Sequence, residues 1–88
     1  MLLVANDNKF NSTNPDIRLA ANASEELVIF NKDSSQHDFV VNDLNIKSKI
    51  LNEGENFTTT IVGNKSGTYE YYCSLHPDEM CGKIIVRA

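Results

Sequence analysis

The chain has 88 residues, 41% hydrophobic and 23% charged, with a formal net charge of −4. That length allows one domain, 1–88, with no room for a second core, and a core so small gains from a bound metal. The acidic balance disfavours duplex nucleic acid and anionic membranes as partners and favours a basic protein.

The elements, taken in chain order, are short strands. Met1–Ala5 is apolar but far too short for a signal-peptide core, and no run approaches the roughly 20 apolar residues of a membrane helix. The chain is therefore expected to be either cytosolic or a mature or trimmed domain whose export signal is missing, with no direct membrane insertion. An early strand is expected near Leu2–Ala5 or Lys9–Phe10. Asp16–Ala20 alternates, with Ile17 and Leu19 on one face, and Asn22-Ala23-Ser24 turns the chain. Glu26–Phe30 is a fuller apolar run that suits a central strand, and Asn31–Gln36 is polar and turn-like. His37–Val41 reads as the next strand, broken by Asn42-Asp43. Residues 46–51 are irregular and cross between sheets. After the turn Asn52–Glu55 comes a Thr-rich strand, Phe57–Val62, then the strongest turn signal, Gly63–Gly67. Thr68–Cys73 and Lys83–Arg87 complete the set around a tight loop. Asn-x-Ser/Thr sequons begin at Asn11, Asn22, Asn56 and Asn64, much as chance supplies in an Asn-rich chain. The expected fold is all-β, a two-sheet Greek-key sandwich of seven or eight strands.

The chemistry lies in the loop between the last two strands. Cys73, His76 and Met80 offer a thiolate, an imidazole and a thioether within eight residues. Thiolate and thioether are soft ligands, and a thiolate with two imidazoles and a weak axial methionine is the blue-copper arrangement. The second imidazole has one source, His37, the only other histidine in the chain. Alternation puts Tyr69, Tyr71 and Cys73 on the inner face of their strand and Glu70 and Tyr72 on the outer.

The run Gly67-Thr68-Tyr69-Glu70-Tyr71-Tyr72-Cys73-Ser74-Leu75-His76, the exit Met80-Cys81-Gly82-Lys83 and the upstream Asn31-Lys32-Asp33 with His37-Asp38-Phe39-Val40 together resemble the cupredoxins, the small blue copper proteins, and among them the plastocyanin/amicyanin group. The resemblance covers roughly residues 9–88. It implies one type 1 copper ion held by His37, Cys73, His76 and Met80, with Met80 as the weak axial ligand. It further implies a monomeric, non-enzymatic carrier of single electrons between redox protein partners in the periplasm or outside the cell. Within that resemblance, His76 is the short electron exit and Tyr72 lies on a remote one. Three positions depart from the pattern: the His76-to-Met80 spacing is intermediate, Asp38 stands where Asn is usual, and Gln36 where Pro is common.

Cys81 leaves alternatives open. It could replace Met80 as fourth ligand, complete a structural zinc site with His37, Cys73 and His76, or close a disulfide with Cys73. A copper storage, delivery or accessory module is a further alternative to the carrier.

Overall fold

The computed structural model describes residues 1–88, arranged as nine strands. These are β1 (Leu2–Asn6), β2 (Lys9–Phe10), β3 (Ile17–Ala20), β4 (Ser24–Asn31), β5 (Val40–Val41), β6 (Ile46–Lys47), β7 (Asn56–Val62), β8 (Gly67–Tyr72) and β9 (Cys81–Arg87). They form a four-stranded sheet in the order β2-β1-β4-β7 and a five-stranded sheet in the order β3-β9-β8-β5-β6. The two-sheet, all-β architecture expected from the alternating pattern is present. The count exceeds seven or eight because both early segments form strands: β1 pairs in parallel with β4 and antiparallel with β2.

The alternation that defines each strand also builds the core. On β3, Ile17 and Leu19 are buried while Arg18 and Ala20 face out. Leu27 and Ile29 of β4, Ile61 of β7 and Ile84 and Val86 of β9 join them in one cluster of 16 buried residues. Toward one end the cluster becomes aromatic. Phe10, Phe39 and Tyr71 meet with ring centroids 5.5–5.8 Å apart, a range in which edge and tilted contacts are favourable.

The asparagines serve the turns. Asn8, Asn11, Asn14, Asn22 and Asn45 all have positive φ, a region that Asn tolerates better than other residues with a Cβ. Asn11 also clamps β1, accepting from the Val4 N–H and donating to the Leu2 carbonyl.

One expected strand is shorter than its pattern. His37–Val41 forms regular strand only at Val40–Val41, and His37 makes an isolated bridge with Leu51. The cause is the partner segment. The Phe39 N–H goes to the Ser48 hydroxyl, not to a backbone carbonyl, at 2.9 Å. The ladder is interrupted there and resumes as the paired N–H···O bonds between His37 and Leu51, 3.1 and 2.7 Å. Asn42-Asp43, read as a break, begins a short 3-10 helix, Asn42–Leu44.

Candidate metal centre

Cys73 lies immediately after β8, and its Sγ points into the end of the core, fully buried. The loop that follows is closed on itself. The Cys73 N–H donates to the Met80 carbonyl at 3.0 Å, and the His76 N–H donates to the Cys73 carbonyl at 3.1 Å. Two N–H groups, from Glu79 and Met80, converge on the His76 carbonyl. The loop is also held from outside, where Lys9 Nζ and Asn14 Nδ2 both donate to the Glu79 carbonyl, at 3.1 and 2.8 Å.

His37 arrives from the other side of the chain, fully buried. Besides its bridge to Leu51, its neighbourhood is fixed by Asn31, whose Nδ2 donates to the carbonyls of Ser35 and Leu51. The ring is fixed by Asp33, whose Oδ2 lies 3.0 Å from His37 Nε2. That hydrogen bond is the main reason the Asp33 carboxyl titrates below its ordinary value.

The donor atoms of His37, Cys73 and His76 all lie within 4.8 Å of one another. Both histidines turn Nδ1 toward the sulfur, each at 3.8 Å, and their ring centroids are 5.0 Å apart. These distances test whether an ion fits. With a metal–sulfur bond of about 2.3 Å and metal–nitrogen bonds of about 2.0–2.1 Å, a planar trigonal site separates sulfur from nitrogen by about 3.8 Å. The three residues therefore fit a first-row ion. The donor set of one thiolate and two imidazoles selects among such ions toward copper or zinc.

Burial pushes the Cys73 thiol upward, while backbone N–H groups of Asp38, Leu75 and His76 act in the opposite direction. In a dry site the thiol keeps its proton until a cation displaces it.

Asp38 follows His37 and is also buried. One carboxylate oxygen accepts from the Ser74 N–H at 2.7 Å and the other from the Ser74 hydroxyl at 2.5 Å. The departure from Asn thus keeps the tie between the two ligand-bearing segments, because a carboxylate can accept both of Ser74's donors.

Met80 is fully buried next to the closing hydrogen bond of the loop, and Cys81 is half-buried. Cys81 is paired with Tyr72 across β8 and β9 and so belongs to the outer face. It is outside the three-residue cluster, and both cysteines are free thiols. Cys81 is thus not brought to His37, Cys73 and His76, and no disulfide joins it to Cys73.

Several residues that shape the centre carry no sequence signal of their own. Asp33, Asn14, Ser48 and Lys9 are ordinary polar residues whose partners lie 4, 65, 9 and 70 positions away.

Comparison with known proteins agrees with this geometry. Residues 1–86 match the family model described as Cupredoxin-like domain. A purple cupredoxin from Nitrosopumilus maritimus is similar over 97% of this chain and 97% of its own, with 25% identity and a TM-score of 0.68. An oxidised amicyanin mutant aligns over 99% of this chain and 81% of its own, with 16% identity and a TM-score of 0.73. A copper-containing nitrite reductase from Thermus scotoductus SA-01 aligns over 99% of this chain but only 27% of its own, with 15% identity and a TM-score of 0.82. A search of curated proteins returned no match.

Proposed function

We propose, from the premise that this chain belongs to the family of cupredoxin-like domains, that it binds one copper ion and carries single electrons between redox proteins. His37, Cys73 and His76 are the strong ligands and Met80 is the weak axial one. The observation that carries this reading is the pair of 3.8 Å contacts from Cys73 Sγ to the two Nδ1 atoms.

Bound copper supplies a one-electron couple between its two common oxidation states. The protein's part is to keep that exchange cheap. His37 is pinned through its backbone by Leu51 and through its ring by Asp33. Cys73 is fixed by the Met80 carbonyl. Ligands held this way keep nearly the same positions in both oxidation states, so little reorganisation opposes transfer. The buried aromatic residues Phe10, Phe39 and Tyr71, in one cluster with Cys73, exclude water from the inner side. The outer side is thin, since His76 is only half-buried and Leu75 beside it is 45% exposed. That apolar lip is a suitable contact for a redox partner, with the acidic Asp78 and Glu79 nearby to steer a basic one. Tyr72, half-buried on the outer face and bonded through its hydroxyl to Asn42 Nδ2, offers a second way out.

No helix is long and apolar enough to cross a membrane. The proposed setting is the periplasm or the cell exterior, with the protein acting as a monomer and as a carrier, not an enzyme. The surface cavity bordered by Leu44, Ile46, Val62 and Tyr69 shares no residue with the metal cluster.

The test is optical. The Cu(II) protein should show an intense visible thiolate-to-copper band, and Cys73→Ser should abolish it. A colourless copper complex with Cys73 intact would sink the reading.

A further inference from the structure

Two carboxylates sit behind the ligands, and the copper reading uses them only to hold the ligands in place. Asp33 Oδ2 lies 3.0 Å from His37 Nε2 and also accepts from the Asp7 N–H at 3.1 Å. The Asp33 backbone N–H is in turn tied to Asn31 Oδ1 at 2.9 Å. The carboxylate is therefore built into place. Asp38 is 1% exposed, and both of its oxygens are taken by Ser74, the residue after Cys73. The protein's ion pairs include no Lys or Arg against either carboxylate; the single partner among them is the His37 ring itself.

Two physical consequences follow. A neutral imidazole carries one N–H and one lone pair. With Nε2–H donating to Asp33, the lone pair is left on Nδ1, the atom facing Cys73. A carboxylate on the far nitrogen also makes the ring a stronger donor. In addition, a fixed negative charge stabilises the more highly charged state of any ion beside it, most strongly where solvent is excluded, as at Asp38.

We propose that Asp33 and Asp38 are positioning residues that set the redox balance of the centre. Together they bias it toward the divalent state and so toward a low reduction potential, and Asp33 also selects the Nε2–H tautomer of His37, which leaves the Nδ1 lone pair facing Cys73. This rests on the copper reading and adds to it that the centre is matched to a partner of low potential: an efficient donor must be strongly reducing, while many acceptors will serve.

The experiment measures the midpoint potential of the copper-loaded wild type, Asp33→Asn, Asp38→Asn and the double variant by direct electrochemistry. The electrode supplies the one electron per Cu(II). Each single substitution should shift the Cu(II)/Cu(I) ratio at fixed applied potential about tenfold toward Cu(I), a rise of about 59 mV for a one-electron couple. The double variant should approach the product of the two. Asp33→Glu, which keeps the charge, should restore much of the wild-type value. Ser74→Ala, which removes a hydrogen bond from Asp38 but no charge, should not raise the potential.

Variants that keep the visible band with an unshifted potential overturn the proposal while leaving the copper reading intact. A Ser74→Ala shift as large as that of Asp38→Asn overturns it too, since the effect would then be structural. Absence of the band in the wild type defeats the copper reading instead. The tautomer is read separately from ring-nitrogen NMR of the metal-free wild type. His37 should be protonated at Nε2, and protonation at Nδ1 overturns the Asp33 half even if no variant folds.

Discussion

At the scale of the residue, the position beside Met80 decides what kind of centre this is. Met80 and Cys81 are neighbours at the start of an extended segment, so their side chains take opposite faces. Met80 is fully buried, and Cys81 shares the outer face with Tyr72. Cys81→Ala should therefore leave the visible band of the Cu(II) protein unchanged. Met80→Leu should keep the band, because the thiolate remains, but raise the reduction potential and alter the paramagnetic-resonance splitting, because a thioether donor to the axial direction is gone. A spectrum that changes with Cys81 and not with Met80 would reverse the assignment. Both variants are read against wild type by the same optical and resonance spectra.

At the scale of the element, the pairing of β8 with β9 places the ligand loop. Tyr71 stands opposite Gly82 in that ladder. The Tyr71 ring lies across Gly82 so closely that a Cβ there would come within 2.5 Å of ring atoms. The Tyr71 hydroxyl donates to the Pro15 carbonyl at 2.5 Å, which leaves the ring little room to retreat. Gly82 in the Met-x-Gly-Lys exit is thus a packing requirement of the tyrosine under the site. Gly82→Ala should destabilise the protein by about 1–3 kcal/mol, the usual cost of overpacking a filled core. Urea unfolding of the metal-free protein checks this directly, and Tyr71→Phe, which removes the hydroxyl and its Pro15 anchor but keeps the ring atoms that a Cβ would meet, should relieve it only in part. A smaller side chain at position 71 should relieve it in part, since the two changes act on one contact and need not add.

At the scale of the whole molecule, the centre joins segments far apart in the chain. His37 comes from the bridge beside Leu51, Cys73 from the end of β8, and the loop is clamped by Lys9 and Asn14 from the N-terminal part. Binding an ion to the folded arrangement, and only weakly to the unfolded chain, must stabilise the fold by mass action. Free ligand at about 1,000 times its dissociation constant contributes about 4.1 kcal/mol. In a domain of this size that is a large part of the total stability. The melting temperature should accordingly rise with copper, and Cys73→Ser should remove most of the rise. Scanning calorimetry with and without metal measures it. A metal-independent melting temperature would mean that the ligands are not brought together by folding.

Much of this was legible in the residues. Alternation in Asp16–Ala20 and across Tyr69–Cys73 marked strands, because a side-chain period of two belongs to a strand. The spacing of Cys73, His76 and Met80 marked a candidate ligand loop because so few residue types bind soft ions. The strand expected at His37–Val41 was less secure, because its regularity depends on a partner, and the partner offers a hydroxyl where a carbonyl is needed.

The sequence by itself therefore determined the candidate ligands of the loop, the all-β class and the inner and outer faces of its strands. All of these depend on local periodicity and on residue chemistry. Only the tertiary structure decided that His37 reaches Cys73, that Cys81 stays outside the cluster, and that Asp33 and Asp38 stand behind the ligands. Those are facts about segments separated by as many as 36 positions. Their proximity is fixed by how two sheets pack, and no local pattern encodes that distance.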